Sequence, residues 1–289
     1  MAPEESKFIE IKDLYKVYRV GSEKIHALDG ISLTIEEGEF CAVVGTSGSG
    51  KSTLLNMLAG LEPPTKGSIK IGGREIVGLK ENQLVAFRRE HVGFIFQSFN
   101  LIPTMTAKEN VALPLTFQGV PKVQRNKRAL ALLKLTGLYD HRNHKPNQLS
   151  GGQQQRVGIS RALVVEPEII FADEPTGNLD SATSAEILTM MRRISREKNQ
   201  TIIMVTHDDH LARFADRIIR ISYGLSYLIN YVAGVYINDM ESMGYRLSLI
   251  PPWLSLGALA FSILIGVLSG LMPALRAMRL SPLEALRNQ

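Results

Sequence analysis

The sequence predicts an α/β domain over residues 1–221, followed by a pair of membrane-spanning helices within residues 222–289. Three observations predict this fold class. Short apolar runs rich in β-branched residues alternate with helical segments, a glycine-rich loop separates one such run from a helix, and only seven charged residues follow Arg220. Alternating strands and helices are typical of a layered α/β domain, whereas a long, weakly charged tail is typical of membrane helices.

The predicted strands of the α/β domain recur from about residue 8 to residue 221. In chain order they are FIEI, FCAVVG, VGFIF, EIIFA, TIIMV and RIIRI. Short runs of β-branched and aromatic residues bounded by polar or glycine-rich segments are typical of strands. Between them, residues 181–198 are predicted to be helical, and Thr106 and Glu109 have the spacing of a capping box at the start of another helix.

Charge, cysteine content and the N-terminal segment exclude several classes of protein. The 33 Lys and Arg and 28 Asp and Glu residues are mixed along the chain without the basic run that marks a nucleic-acid-binding arm, so we expect no nucleic-acid partner. The single cysteine, Cys41, lies in an apolar run and is expected to be a buried thiol, which suits a reducing compartment. The opening MAPEESKFIEIK lacks the apolar segment of a secretory signal, so we expect the first domain to stay in the cytoplasm.

The segment GTSGSGKST, residues 45–53, matches the phosphate-loop pattern G-x-x-x-x-G-K-[ST] between a predicted strand and a predicted helix. Its glycines let backbone N–H groups turn toward phosphate oxygens, and the helix N-terminus adds its positive dipole end. Lys51 is expected to supply a charge, and the Ser52 hydroxyl is expected to ligate Mg²⁺. A flexible surface turn is the alternative. The nucleotide-binding residues predicted here are Gly45, Ser47, Gly48, Ser49, Gly50, Lys51, Ser52 and Thr53.

Two adjacent carboxylates end the predicted strand EIIFADE, residues 168–174. Asp173, at the end of the strand, is expected to hold Mg²⁺ through its water shell. Glu174, one residue further into the site, is expected to polarise an attacking water. A solvated strand end or a helix cap is the alternative for this pair. Beside a phosphate loop, the two carboxylates predict a second element of the same phosphate site.

Over residues 8–221 the sequence resembles the nucleotide-binding domains of ABC transporters. The motif that carries the resemblance is LSGGQ, residues 149–153, followed by QQRVGISRAL, which ordinary phosphate-loop ATPases lack. The resemblance implies an α/β ABC-type domain that binds ATP and Mg²⁺ and is competent to hydrolyse ATP. The implied positions are an adenine-stacking aromatic at Tyr18, with Tyr15 as its rival, a Mg²⁺- and γ-phosphate-sensing glutamine at Gln97, a D-loop at residues 177–180 that ends with Asp180, and a switch histidine at His207.

The same resemblance implies a head-to-tail homodimer. In such a dimer Ser150, Gly151, Gly152 and Gln153 of one protomer close over the ATP that Lys51 of the other protomer holds. The physical reason is charge, because the phosphates neutralise two basic, N–H-rich surfaces that repel each other otherwise. His207 begins the segment HDDH, whose spacing also suits a metal site. The switch interpretation is favoured because the segment follows a predicted strand and no cysteine or further histidine cluster accompanies it.

The tail predicts two membrane helices, at residues 222–237 and 253–271. Residues 247–275 contain no charged residue, and 253–271 supplies nineteen residues against the roughly 20 that span a bilayer. A buried helix of a soluble domain is the alternative. Residues 222–237 are fewer and more polar, but two crossings keep the basic flanks on the cytoplasmic side. Ser262, Gly266 and Gly270 recur every four residues, a spacing that favours close helix packing in membranes.

A narrower resemblance, to the ABC subfamily that powers macrolide exporters, lipoprotein release and cell-division permeases, rests on RREHVGFIFQSFNLIPTMTAKENVALP and ADEPTGNLDS. The tail segment GLMPALRAMRLSPLEALR resembles the end of the permeases in that subfamily, although only the last two of their usual four membrane helices match. A natural truncated fusion, an engineered chimaera and a gene-model artefact all fit this tail.

The resemblance implies an ATPase at the cytoplasmic membrane that drives an export-type permease for macrolide, peptide or lipoprotein cargo. The alternative is a mechanical lever or nucleotide-gated switch that moves a membrane partner without transporting cargo. A soluble ABC protein of DNA repair or translation is disfavoured, because the sequence has neither twin cassettes nor a long coiled-coil insertion.

Overall fold

The computed structural model describes residues 7–21 and 23–221, which all belong to the first of two units into which the chain divides, Met1–Tyr227. The predicted α/β fold of this part is confirmed. The membrane helices predicted at residues 222–237 and 253–271 lie outside the described residues. Within residues 7–21 and 23–221, no helix has both the length and the apolar character that crossing a bilayer requires.

The described part of the chain contains nine strands, seven α-helices and two 3₁₀ turns. The strands are β1 (Lys7–Val20), β2 (Glu23–Glu36), β3 (Phe40–Val44), β4 (Lys66–Ile71), β5 (Arg74–Glu75), β6 (Val92–Ile95), β7 (Ile169–Asp173), β8 (Thr201–Thr206) and β9 (Arg217–Arg220). The helices are α1 (Lys51–Leu58), α2 (Glu81–His91), α3 (Ala107–Phe117), α4 (Lys122–Leu135), α5 (Gly151–Leu163), α6 (Ser181–Lys198) and α7 (Asp209–Ala212). The 3₁₀ turns are Tyr139–His141 and Pro146–Gln148.

A parallel sheet in the order β6-β7-β8-β3-β9 forms the centre of the domain. Strands β3 and β8 are buried at every position, which explains why their sequences are continuous apolar runs. The register pairs Val44 with Thr206 and Asp173 with Val205, so the carboxyl ends of β3, β7 and β8 lie side by side. The loops that follow these three strands therefore meet at one edge of the sheet, where ligands bind in open α/β sheets.

A second, antiparallel sheet has the order β2-β1-β4-β5. Its core face carries Ile9, Ile11 and Leu14 of β1, which pack with Ile69 of β4 and with residues of α1. The register between β1 and β2 shifts at four places along the pair. Each shift moves side chains to the other face of the sheet, so the alternation of apolar and polar residues is interrupted in both strands.

Helices α3, α4 and α5 pack around a core of their own that includes Val111, Leu115, Leu133 and Val157. The capping box predicted at the start of α3 is confirmed. The Thr106 hydroxyl accepts from the Glu109 N–H at 3.3 Å, and the Glu109 carboxylate accepts from the Thr106 N–H at 2.8 Å. The bond from the Thr106 N–H, and next the bond that the Thr106 hydroxyl donates to the same carboxylate at 2.8 Å, lower the pKa of Glu109, because they favour its charged form. The predicted helix over residues 181–198 is likewise confirmed as α6.

Candidate functional site

The phosphate loop, residues 45–53, connects the end of β3 to the first turn of α1. Gly50 precedes α1 in left-handed backbone with φ of +88°, and a Cβ at this position would collide with the carbonyl oxygen of Ala27. Gly48 also has positive φ, +80°, but no atom lies within 4 Å of its missing Cβ. Gly50 is therefore required both for conformation and for space, and Gly48 for conformation alone.

Lys51 is the first residue of α1, and its ammonium group is folded into the phosphate loop. The side chain is buried, and Nζ donates to the carbonyl oxygens of Gly45 and Thr46, each at 2.8 Å. Both partners are neutral, so the positive charge remains available for an anion at the helix N-terminus. This combination of a buried cation and helix N–H groups is suited to phosphate.

The other polar residues of the loop differ in exposure. Ser47 and Ser52 are exposed, and Thr53 is half-buried. Ser49 is buried, and its Oγ has no hydrogen-bond partner among the described residues. The predicted loop residues thus differ in position: some are exposed to solvent, and others are buried within the turn.

Asp173 and Ser52 form an oxygen pair at the edge of the parallel sheet. Ser52 Oγ lies 3.5 Å from Asp173 Oδ1. Burial raises the pKa of Asp173, and the neighbouring charge of Glu174 raises it further, because both disfavour the ionised form. A cation would offset this cost, and Mg²⁺ prefers oxygen ligands such as carboxylates and hydroxyls. The chemistry of these two donors therefore fits Mg²⁺, and the full set of Ser52, Asp173 and Gln97 stays a prediction.

Glu174 is held in left-handed backbone immediately after β7. Its φ is +44°, and its N–H donates to the Val205 carbonyl oxygen at 2.9 Å. The carboxylate Oε1 lies 2.9 Å from His207 Nδ1. Strained backbone in a non-glycine residue is frequent at functional sites, where neighbouring contacts hold it in place. The structure thus brings two of the three predicted catalytic residues, Glu174 and His207, into direct contact; Gln97 is the third.

Gln97 lies two residues after the end of β6, beside the D-loop at residues 177–180. The Asn178 side chain donates to the Gln97 carbonyl oxygen at 3.0 Å. A Cβ at Gly177 would lie 2.8 Å from Gln97 Nε2. The predicted sensor glutamine and the D-loop therefore touch each other within one protomer.

Gln155 is a further candidate that the sequence analysis did not identify. It is fully buried in α5, and its Nε2 donates to the carbonyl oxygens of Phe96 and Pro175. These two residues stand directly before Gln97 and directly after Glu174. The available signal was the run of three glutamines at residues 153–155, which begins at the end of LSGGQ. A glutamine of this run that lies at a core position needs specific hydrogen-bond partners.

The signature segment, residues 150–153, forms the beginning of α5. Ser150 Oγ accepts from the Gln153 N–H at 3.3 Å, and Gln153 Oε1 accepts from the Ser150 N–H at 2.9 Å. A Cβ at Gly152 would lie 2.6 Å from Thr183 Cγ2, so glycine permits close approach to α6. Among the described residues, no hydrogen bond joins this segment to the phosphate loop.

Asp180 forms the N-cap of α6. Its carboxylate accepts from the Thr183 N–H at 3.0 Å and from the Thr183 hydroxyl at 2.7 Å. These bonds lower the pKa of Asp180, the backbone bond most of all. Within one protomer the side chain of this predicted nucleotide contact is therefore engaged in a helix cap.

Tyr18 and Tyr15, the two candidates for the adenine platform, lie in different surroundings on β1. The Tyr18 hydroxyl donates to Glu62 at 2.8 Å, and Lys16 Nζ lies 5.1 Å from the centre of its ring. Burial and then the Glu62 hydrogen bond raise the pKa of Tyr18, and a hydrogen bond with Thr53 opposes them. The Tyr15 hydroxyl instead lies against Gly30. Contact with Thr53 connects Tyr18, and not Tyr15, with the phosphate loop.

Comparison with known proteins gives matches over the described part of the chain. The family profile described as ABC transporter matches residues 28–177, just over half of the chain. An uncharacterized ABC transporter ATP-binding protein of Methanocaldococcus jannaschii is 52% identical over 216 residues, which are 75% of this chain and 96% of that protein. The macrolide export ATP-binding/permease protein MacB of Syntrophobacter fumaroxidans is 50% identical over 219 residues, 75% of this chain and 31% of MacB. The chain thus spans about a third of the length of this MacB relative.

Among solved structures, the chain is similar to the ATP-binding cassette MJ0796, in its dimeric post-hydrolysis state bound to ADP and Pi. The sequences are 47% identical, the match covers 74% of this chain and 94% of that one, and the TM-score is 0.68. Residues 28–177, which the family profile matches, contain the phosphate loop, the paired carboxylates and the signature segment described above. The chain belongs to the ABC transporter family, as an ATP-binding subunit that carries the family's ATPase domain.

Proposed function

We propose that two copies of this chain close head to tail on ATP and that hydrolysis reopens them, which drives a permease of the macrolide-exporter type. The observation that carries this proposal is the separation of two half-sites. Lys51 and the phosphate loop lie at the edge of the parallel sheet, whereas residues 150–153 begin α5 and are not hydrogen-bonded to that loop. A second copy would supply the missing half, as the dimer of MJ0796 suggests.

The proposed chemistry assigns a separate role to each residue at the sheet edge. Lys51 and the N–H groups of the loop bind the phosphates, and Glu174 accepts a proton from the attacking water. His207 orients that carboxylate through the 2.9 Å contact. Ser52, Asp173 and Gln97 would hold Mg²⁺. When bound, the ion would neutralise charge on the phosphate oxygens.

An exposed apolar groove supports a permease as the partner. The groove, of about 630 Å³, is lined by residues of α2, β6, α3 and α5 and of the adjoining loops, including Leu61, Val85, Phe96 and Phe117. Phe117 is 70% exposed and Leu61 52%. Exposed apolar residues of this size that lie together mark interaction sites. Phe96 directly precedes Gln97, so a cytoplasmic segment of the permease in this groove would lie next to the phosphate sensor.

The tail is the second part of the proposal. Residues 222–289 would form a partial permease segment, with membrane helices at 222–237 and 253–271, and would tether the ATPase domain of residues 1–221 to the cytoplasmic face of the membrane. Its support is the uncharged sequence and the distribution of arginines around it. The cargo class, macrolide, peptide or lipoprotein, rests on similarity to MacB, of which the chain covers 31%.

A mixing experiment tests the composite site. Lys51→Ala removes the phosphate ligand, and Ser150→Phe blocks the signature segment, so each variant alone has no intact site and should lose activity roughly 10²-fold. In a mixed dimer, one site combines the intact loop of one protomer with the intact signature segment of the other. We expect an equimolar mixture to recover about a quarter of the wild-type ATPase rate, since half of random dimers are mixed.

Two controls accompany the mixing experiment. Each variant must retain the thermal midpoint of the wild-type protein, and Glu174→Gln should form an ATP-stabilised dimer on size exclusion without turnover. A mixture no more active than its components, together with a monomeric Glu174→Gln protein in saturating ATP, would contradict the proposal. ATPase activity that responds to a permease without cargo movement in vesicles would favour the lever instead.

A further inference from the structure

His141 contacts the signature segment from outside the phosphate site. It ends the 3₁₀ turn Tyr139–His141, and its Nε2 lies 3.3 Å from the side-chain Nε2 of Gln153. His141 and Gln153 are both half-buried. Gln153 is also the residue whose side chain caps Ser150, so His141 is one hydrogen bond away from the start of α5.

The direction of each bond follows from what the partners can donate. The backbone N–H of Ser150 can only donate, so the atom of Gln153 that faces it must be the oxygen, at 2.9 Å. The amide nitrogen of Gln153 therefore faces His141, and this NH₂ group is only a donor. His141 Nε2 must then accept, which places the proton of the neutral imidazole on Nδ1.

The surroundings of the buried Nδ1 of His141 do not reverse this assignment. It has no hydrogen-bond partner among the described residues, and the His144 ring lies next to it with 5.1 Å between ring centres. The Nδ1–H tautomer makes one hydrogen bond and leaves one N–H unpaired. The Nε2–H tautomer makes none and sets two donors against each other at 3.3 Å. The first is therefore favoured, because facing donors repel and an unmade bond is costly.

We propose that His141 is a positioning residue for ATP binding. By accepting from Gln153 it fixes the orientation of that amide, and the amide fixes Ser150 in the cap from which the first N–H groups of α5 point outward. An ordered helix N-terminus binds phosphate better than one that must order on binding. This inference rests on the proposed function, since the phosphate concerned belongs to the ATP of the partner protomer.

Two substitutions of His141 distinguish the loss of its hydrogen-bond acceptor from a change in the packing of its ring. His141→Phe keeps the size of the ring and removes the acceptor, whereas His141→Gln places an amide oxygen near the position of Nε2. We expect His141→Phe to raise the apparent KM for ATP about fivefold, the equilibrium effect of one neutral hydrogen bond, with kcat changed less than about twofold. His141→Gln should restore most of the affinity. His144→Phe is the matched control and should leave KM unchanged.

The assignment of the tautomer has its own measurement. In the nucleotide-free wild-type chain with labelled histidine, a long-range ¹H–¹⁵N correlation spectrum should identify His141 as the Nδ1–H form. The Nε2–H form would overturn the inference, as would a KM for His141→Phe equal to that of the wild type, or His141→Gln as impaired as His141→Phe. Failure of the wild-type chain to dimerise with ATP would contradict the proposed function instead, and the tautomer would still decide whether the hydrogen bond exists.

Discussion

At the scale of single residues, substitution of Gly50 and Gly48 can distinguish the cost of strained backbone from the cost of a steric collision. Both have positive φ, +88° and +80°, but only Gly50 faces a backbone carbonyl where its Cβ would be. A non-glycine residue in this conformation costs about 1–2 kcal/mol. Gly48→Ala should therefore lower stability by about that amount and keep ATP binding.

Gly50→Ala adds a collision with the Ala27 carbonyl, which cannot move without moving β2. We expect it to lose ATP binding at least tenfold and to lower the thermal midpoint more than Gly48→Ala does. Nucleotide titration and thermal unfolding of the two variants side by side measure both effects. Equal behaviour of the two alanine variants would show that the space around Gly50 is not limiting.

The charge of Asp173 should lower the stability of the nucleotide-free protein and yet contribute to Mg²⁺-dependent ATP binding. Its pKa is raised first by burial and then by Glu174, so its ionised form is less favourable in the folded than in the unfolded protein. Ionisation of Asp173 therefore costs stability as pH rises through the ordinary aspartate range, and the cost is complete above the raised pKa. Asp173→Asn removes the charge and should raise the thermal midpoint at neutral pH without nucleotide.

The same substitution should weaken the dependence of ATP binding on Mg²⁺, because Asp173 is one of three proposed ligands. Thermal unfolding of Asp173→Asn and of the wild type at neutral pH and near pH 3, without nucleotide, measures the stability effect. The difference between them should shrink toward acid, where the wild-type carboxyl is protonated. A variant that is less stable than the wild type at neutral pH would contradict this account of the charge.

At the scale of secondary structure, the two sheets differ in how far their sequences predict them. Strands β3 and β8 of the parallel sheet were predicted because both of their faces are buried, which makes their sequences continuous apolar runs. In the antiparallel sheet, only the FIEI part of β1 was recognised. Register shifts next to Ile11 and Leu14 interrupt its alternation, and β2, β4 and β5 were not predicted.

The candidate site shows the same contrast between local and long-range information. The capping box of Thr106 and Glu109 and the loop around Lys51 are fixed by neighbours in sequence, and their patterns predict them. Gln155 contacts Pro175, which is 20 residues away in the chain, and His141 contacts Gln153, which is 12 residues away. Such contacts depend on how α5 packs, which a single sequence does not specify.

At the scale of the whole molecule, the proposed dimer brings together two kinds of surface that are separate in one protomer. The edge of the parallel sheet gathers the residues that follow β3, β7 and β8, whereas the signature segment belongs to the helical region around α3, α4 and α5. The groove near Phe96 is lined in part by residues of α3 and α5, so it adjoins the helical region. A partner bound there would contact that region beside Gln97, the residue after Phe96.

The last prediction concerns the tail, residues 222–289. If residues 253–271 cross the membrane, the full-length chain should remain with membranes after alkaline washing. A charge at the centre of that segment, Leu264→Arg, costs roughly 2.5–3.5 kcal/mol of insertion free energy. It should release part of the protein to the soluble fraction, because the other predicted membrane helix, residues 222–237, is shorter and more polar. Leu249→Arg introduces the same charge outside the segment and should leave fractionation unchanged. Equal membrane association of both variants, with ATPase activity retained, would mean that residues 253–271 do not anchor the protein.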